Sequence, residues 1–228
     1  MRAAYCTLIG NDEYVIGALC LAESYRRLNL PHDFIFLINE TVNEQQIDLI
    51  YQYNFGIIKI IPNIKYHNDI NDNINQKKSF ATTTGKFEVF ALTKYDKIIF
   101  MDADTLLKYP IDILFSYPIW FAAQDPNNKY YNGGTFCITP NKQVYNKIQR
   151  IIKTNDFTND EEVFNYLQLD NNLNYYRKDL LCNNVFHDSP AYGKGDAIPK
   201  YWMNDNFSSK NYTLEDIPLL VDTQLQKC

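Results

Sequence analysis

Two aspartates separated by one residue, Asp102 and Asp104, are the clearest candidates for chemistry in this chain. They follow residues 98–101, an apolar run that is typical of a buried strand in a parallel sheet. Open α/β sheets bind ligands beyond the carboxyl ends of their strands. Two carboxylates placed there repel each other unless a cation lies beside them. The pattern indicates a divalent metal and a phosphorylated ligand; the alternative is an ordinary turn with solvated aspartates, because Asp favours turns.

The elements before this pair alternate between strands and helices. Apolar runs at 5–9, 34–38 and 57–61 predict buried strands, and apolar residues at helical spacing predict helices at 14–28 and 41–53. This βαβαβ order predicts an α/β fold with a doubly wound parallel sheet. A further predicted helix at 84–92 leads to the strand that ends at the aspartate pair. Lys86 lies in the first turn of that helix, from which it can reach the same site.

Shorter elements follow the pair. The pattern predicts a short helix or turn at 111–115, strands at 120–123 and 135–139, and helices at 142–153 and 161–167. Asn132, Gly133 and Gly134 lead into the second of these strands. Two adjacent glycines permit either the close approach of a ligand or a bulge. The signal thins beyond residue 170, and no domain boundary or linker interrupts the chain.

The composition of the chain excludes some classes of function. The net charge of −5 argues against a nucleic-acid partner, since such surfaces carry a basic excess. Five scattered cysteines without a C-x-x-C pair indicate free thiols in a reducing compartment. The first apolar run is too short for a signal peptide, and no stretch is long enough to span a membrane. We therefore expect a cytoplasmic protein with no membrane span.

One metal-dependent class with Asp-x-Asp after an apolar strand is the haloacid-dehalogenase type of phosphatase. Its motif continues with one more residue before a Thr or Val, whereas Thr105 here directly follows Asp104. In that fold the motif strand opens the chain, whereas three predicted βα units precede it here. These two departures make a phosphatase the weaker alternative.

Several further motifs come in a fixed order: TLIGNDEY at 7–14, Lys86, LTKYDKIIFMDADTL at 92–106, IDILF at 111–115, AAQDP at 122–126, YNGGTF at 131–136 and NDEEVFN at 159–165. Together they resemble glycosyltransferase family 8, and its glycogenin-like members in particular, over about residues 4–167. The end of the chain departs from the family pattern, which closes with a histidine followed by Lys-Pro-Trp. His187 is the candidate for that histidine, with Lys194 or Lys200 as the lysine; a core or surface histidine is the alternative.

The resemblance implies a GT-A fold, a Rossmann-like mixed, mostly parallel sheet flanked by helices. It implies one catalytic domain over residues 1–228, with a nucleotide-binding half at 1–104 and an acceptor-side half at 105–228. The implied activity is a metal-dependent, retaining hexosyltransferase with a UDP-sugar donor, UDP-glucose being expected. Mn²⁺ is the expected metal, with Mg²⁺ as the alternative. The acceptor would be a hydroxyl of a sugar, a glucan or a protein tyrosine, and a homodimer stays open.

The resemblance also assigns roles. Metal ligands would be Asp102, Asp104 and His187. Uridine and ribose would meet the backbone after Leu8, with Asn11 and Tyr14. The remaining donor contacts would come from Lys86, Ala103, Asn132, Gly133, Gly134 and either Lys194 or Lys200.

Retention of configuration through a covalent intermediate needs a carboxylate near the anomeric carbon. Asp160 is the carried-over candidate, and Asp125 lies on the same acceptor side. Departure and attack on one face of the sugar is the other route, and Asp160 is alternatively a helix N-cap. Tyr175, Tyr176 and Tyr192 fall where a self-glycosylated tyrosine would lie. The altered closing motif also leaves open a nucleotide-sugar-binding protein with little turnover.

Overall fold

The computed structural model describes residues 1–66, 82–116, 121–124, 131–169 and 212–225. Within these residues one six-stranded sheet has the order β3-β2-β1-β4-β6-β5. Its strands are β1 (Ala3–Ile9), β2 (Asp33–Asn39), β3 (Ile57–Ile61), β4 (Lys97–Met101), β5 (Phe121–Gln124) and β6 (Tyr131–Ile138). The first four run parallel, while β6 is antiparallel to both β4 and β5. The predicted α/β class with a mixed, mostly parallel sheet is therefore confirmed.

Helices cover both faces of the sheet. They are α1 (Val15–Arg27), α2 (Glu44–Tyr53), a 3₁₀ helix at Thr83–Ala91, α3 (Lys142–Thr154), α4 (Asp160–Leu169) and α5 (Ile217–Leu225). Because successive strand residues point to opposite faces, Tyr5 and Ile9 pack on the side of α1 and α5, and Cys6 and Leu8 pack on the side of α3 and α4. No helix of the described residues is long and apolar enough to cross a membrane.

Several elements differ from the sequence predictions in their bounds or their type. Helix α2 begins at Glu44 rather than at residue 41, because the Asn43 side chain accepts a hydrogen bond from the Gln46 amide at 2.9 Å and caps the helix. The helix predicted at 84–92 is of the 3₁₀ type, and its threonines and glycine have low α-helical propensity. Asn132 and the two glycines lie inside β6 rather than before it. The register with β5 shifts between Ala122 and Ala123, opposite residues 133–135, so the glycines lie at an irregularity of the bulge type.

Helix α5 was not predicted and is held to α1 by an ion-pair network. Arg27 contacts Glu23 at 2.9 Å and Asp222 of α5 at 2.5 Å, and it donates to the Pro218 carbonyl at 3.0 Å. Glu23 is buried and also accepts from Arg26 at 2.8 Å. Arg27 therefore links the last described helix to the first.

We predict that Arg27→Ala lowers the melting temperature by about 4–8 °C, corresponding to the loss of about 2 kcal/mol of charge-assisted hydrogen bonds in a chain of this length. Arg26→Ala is the matched control, because Arg26 is 54% exposed and its ion-pair partner is Glu23 alone among the described residues. Its effect should be less than half as large in thermal unfolding. Equal effects would show that the contacts with α5 contribute nothing.

Candidate active site

The turn after β4 holds the aspartate pair. The Asp102 amide donates to the Gly134 carbonyl at 2.7 Å, which fixes the turn against β6. The Asp102 carbonyl accepts from the Thr105 amide at 3.1 Å and the Thr105 hydroxyl at 2.7 Å. Ala103 and Thr105 are buried, whereas Asp102 and Asp104 keep part of their surface exposed. The turn thus presents both aspartates at the carboxyl edge of the sheet, where β1 and β4 are neighbours.

Lys86 is buried beside this turn. Its Nζ donates to Asp160 Oδ2 at 2.6 Å, to the Gly133 carbonyl at 3.1 Å and to Asp102 Oδ1 at 3.2 Å. An ammonium group has three N–H donors, and these three acceptors use all of them. Burial alone would lower the pKa of Lys86, but the carboxylates of Asp102 and Asp160 raise it above its ordinary value. Lys86 is therefore a permanent cation that joins the 3₁₀ helix to β4, β6 and α4.

Two glycines allow the 3₁₀ helix to lie directly against β1. A β-carbon on Gly85 would come within 2.8 Å of the Leu8 and Ile61 side chains. A β-carbon on Gly10 would overlap the side chain of Thr82, just before the helix. Neither contact was foreseen, although a glycine immediately before Lys86 is a readable signal of close packing. This packing sets the depth at which Lys86 enters the site.

Asp160 is not the cap of its helix. The side chain of Asn159 caps α4, accepting a hydrogen bond from the Glu162 amide at 3.0 Å. The Asp160 carboxylate instead turns inward to Lys86, and the Asp160 side chain is 8% exposed. The N-cap alternative for Asp160 is therefore wrong, and the carboxylate belongs to the cluster around Lys86.

The loop after β1 shares this edge of the sheet. The Asn11 side chain accepts from the Glu13 amide at 3.0 Å, and the Asp12 carboxylate accepts from the Asn43 amide at 2.9 Å, which ties the loop to α2. Burial and the carboxylates of Asp104 and Asp102 raise the pKa of Tyr14, so its hydroxyl lies within their field. The Leu8 side chain is buried. Any contact of Leu8 with a ligand would therefore be made by its backbone.

Carboxylates are crowded in the described part of this site. Asp102 and Asp160 form ion pairs with the ammonium group of Lys86, and Asp104 repels Asp102. Burial and repulsion by Asp104 and Asp160 raise the pKa of Asp102 to about 7, although the Lys86 ammonium opposes the shift. A divalent cation would remove this repulsion, so the donor set fits a metal that takes carboxylate, phosphate and water oxygens.

A third protein ligand is not found in the part of the chain that the structure describes. No group of three or more His, Cys, Asp or Glu side chains suited to a metal occurs within those residues. His187, Asp125, Lys194 and Lys200 lie outside them, and for Asn132 only the backbone is described. The structure thus brings Lys86, Asp102, Gly133 and Asp160 together, with Tyr14 and Asp104 close by.

The raised pKa of Asp102 predicts a pH dependence of stability in metal-free protein. Between pH 4 and about 7 the folded state holds a proton that the unfolded chain releases, so stability falls as the pH rises through this window. Asp102→Asn removes this loss. From pH 4.5 to pH 8 in EDTA, the melting temperature of the variant should gain about 2 °C or more on wild type. This corresponds to about 1 kcal/mol, less than the raised pKa alone would give, because the Asp102 side chain is 36% exposed and water screens its charge. Parallel pH profiles for Asp102→Asn and wild type would contradict the assignment; Asp48→Asn, at an exposed site on α2, is the control.

Comparisons with known proteins agree with this architecture. Over 151 residues the chain is 30% identical to glycogenin-1 of Caenorhabditis elegans, covering 65% of this chain and 34% of that protein. Over 149 residues it is 30% identical to UDP-glucuronate:xylan alpha-glucuronosyltransferase 2 of Arabidopsis thaliana, covering 64% of this chain and 24% of that protein. The chain thus spans about a quarter to a third of these curated relatives. No protein-family model matches it.

A solved structure extends the likeness over nearly the whole chain. The crystal structure of an active-site mutant of the glycosyltransferase LgtC matches with a TM-score of 0.56 and 15% identity. The match covers 96% of this chain and 95% of LgtC, which shows the shared fold. By sequence the chain is similar to glycogenin-like glycosyltransferases, and its fold is that of the GT-A glycosyltransferases, so the resemblance carried by its motifs is confirmed.

Proposed function

We propose that this protein is a metal-dependent, retaining hexosyltransferase that moves a sugar from a UDP-sugar to a hydroxyl acceptor. The observation that carries the proposal is the excess of carboxylates around Lys86 where β1 and β4 end. That edge of an open α/β sheet is where nucleotides bind. An anionic diphosphate can approach three carboxylates only if a cation accompanies it.

In this proposal Asp102 and Asp104 hold Mn²⁺, with Mg²⁺ as the alternative and His187 as the third ligand. When bound, the metal neutralises the diphosphate charge that develops as the sugar leaves. The β1 loop, through Asn11 and Tyr14, receives uridine and ribose. Nitrogen is a softer ligand than oxygen, so a histidine favours Mn²⁺ over Mg²⁺.

Lys86 orients Asp160 in this proposal. Its ammonium has no N–H left to donate to the sugar, because all three already serve protein acceptors. The same ion pair withdraws charge from Asp160 and makes it a weaker nucleophile. This favours departure and attack on one face of the sugar over a covalent intermediate on Asp160. Asp125 stays the second candidate for a carboxylate on that side.

The charges at this site also affect which donor sugar is favoured. The name of the Arabidopsis relative specifies UDP-glucuronate, whose sugar carries a carboxylate. Among the described residues of this site, the cation is Lys86, and its N–H donors are occupied. A uronate carboxylate would therefore gain no N–H donor from Lys86 and would be repelled by Asp160. This favours a neutral hexose, and we propose UDP-glucose.

We also propose a class of acceptor and a cellular compartment. A hydroxyl of a sugar, of a growing glucan or of a tyrosine of the protein itself would serve as acceptor. Tyr175, Tyr176 and Tyr192 lie outside the described residues. Cys6, Cys20 and Cys137 are free and buried, which fits the reducing cytoplasm.

The phosphatase alternative loses its support. Its motif strand opens the chain, whereas here the aspartates follow the fourth strand of a sheet that matches glycosyltransferases. A nucleotide-sugar-binding protein with little turnover can be distinguished from an active transferase by experiment. It would gain thermal stability from a UDP-sugar, since ligand binding stabilises the native state, but would release no UDP.

The first test measures UDP release from a panel of UDP-sugars with Mn²⁺, Mg²⁺ or EDTA. We expect the highest rate with UDP-glucose and Mn²⁺, a lower rate with UDP-glucuronate, and none in EDTA. Asp104→Asn keeps the side-chain shape but loses the charge, so it should lower the rate by at least about 100-fold. Asp48→Asn makes the same charge change at an exposed site and should leave it unchanged. Full activity of Asp104→Asn would overturn the assignment.

A second test addresses the closing residues. His187→Ala should weaken Mn²⁺ activation and narrow the advantage of Mn²⁺ over Mg²⁺, because water replaces a nitrogen ligand. Lys194→Ala and Lys200→Ala are compared in the same assay. The variant that has lost the lysine in contact with the diphosphate should show the higher donor KM. An unchanged metal titration for His187→Ala would place the third ligand elsewhere.

A further inference from the structure

We infer that Gly133 is a positioning residue for Asp160: its missing side chain is the space in which the Asp160 carboxylate reaches Lys86. The catalytic consequence rests on the proposed function, whereas the packing claim does not. The sequence had suggested that Gly133 lets the donor approach the backbone. The structure places a protein carboxylate in that space instead.

The steric observation is specific. A β-carbon on Gly133 would overlap Asp160 Oδ2 and would lie 3.2 Å from Asp160 Cγ and 3.3 Å from Lys86 Nζ. Asp160 Oδ2 is also the atom that accepts from Lys86 at 2.6 Å. Any side chain larger than hydrogen at residue 133 must therefore displace the oxygen that pairs with the buried cation.

A left-handed backbone does not explain the glycine, although the register between β5 and β6 shifts beside it. Gly133 lies within strand β6, and among the described glycines the one with a positive φ is Gly56, at 80°. A glycine in a strand otherwise weakens it, because it packs no side chain and loses more conformational entropy on folding. The need at residue 133 is therefore space beside Asp160.

Gly133 contributes a second contact to the same centre. Its carbonyl accepts from Lys86 Nζ at 3.1 Å, so the cation contacts the strand and the carboxylate that packs on it. Lys86, Gly133 and Asp160 form a three-part unit in which each member fixes the other two. Moving Asp160 away would leave a buried ammonium with one carboxylate partner, which is costly.

The packing is tested by introducing Gly133→Ala into three backgrounds: wild type, Asp160→Ala and Asp160→Asn. Thermal unfolding should show a loss of at least about 4 °C in wild type. The loss should persist in Asp160→Asn, whose side chain fills the same space. It should vanish in Asp160→Ala, where the obstructing atoms are gone and alanine lowers the entropy of the unfolded chain. If Asp160→Ala does not fold, Asp160→Ser replaces it.

Turnover separates positioning from a general loss of structure. With UDP-glucose and Mn²⁺, Gly133→Ala should lower kcat at least about tenfold while the donor KM changes less than about threefold. The double variant Gly133→Ala with Asp160→Ala should be no slower than Asp160→Ala alone. If the wild-type protein shows no turnover, only the proposed function fails. Thermal unfolding in the three backgrounds still tests the packing of Gly133 against Asp160.

The inference would be overturned if Gly133→Ala lowered the melting temperature equally in the wild-type and Asp160→Ala backgrounds. So would a kcat unaffected by Gly133→Ala in an enzyme that Asp160→Ala inactivates. A rise in the donor KM alone would return Gly133 to the ligand-approach role that the sequence suggested.

Discussion

The buried ammonium group of Lys86 is the interaction on which the candidate site depends. A cation with a 4% exposed side chain is tolerable only because two carboxylates and a carbonyl accept its three N–H donors. Those acceptors come from β4, β6 and α4, so the ion pairs hold together segments that lie up to 74 residues from Lys86 in the chain. The β1 loop joins the same edge through Tyr14, whose pKa is raised by burial and by the aspartate pair.

The geometry around Lys86 relates the fold to the chemistry. Glycines at 10 and 85 let the 3₁₀ helix approach β1, and the glycine at 133 leaves room for Asp160. The fixed cation compensates part of the carboxylate charge, and the remainder fits a divalent metal with a diphosphate. In the proposed function, binding of the metal and the nucleotide relieves the repulsion at Asp102. A neutral hexose would add no further charge to this arrangement.

Much of this architecture is readable from the chain, because strong local signals carry it. The apolar runs of β1, β2 and β4 and the position of the aspartate pair at a strand end follow from periodicity and length. Long-range contacts are not readable in this way. No residue near Asp160 in the sequence indicates that its carboxylate faces Lys86 rather than the start of its own helix. Gly133 suggested a place where a ligand approaches the backbone, because the sequence does not show that Asp160 lies beside it. Helix α5 has little amphipathic pattern and owes its place to Arg27 and packing.

The most direct measurement of the central claim is anomalous diffraction from crystals grown with UDP and Mn²⁺. The account predicts a manganese peak in direct contact with the carboxylates of Asp102 and Asp104 and with the diphosphate of UDP. It also predicts that Lys86 still contacts Asp160 and the Gly133 carbonyl. A manganese peak away from both aspartates, or UDP bound at another edge of the sheet, would contradict the account.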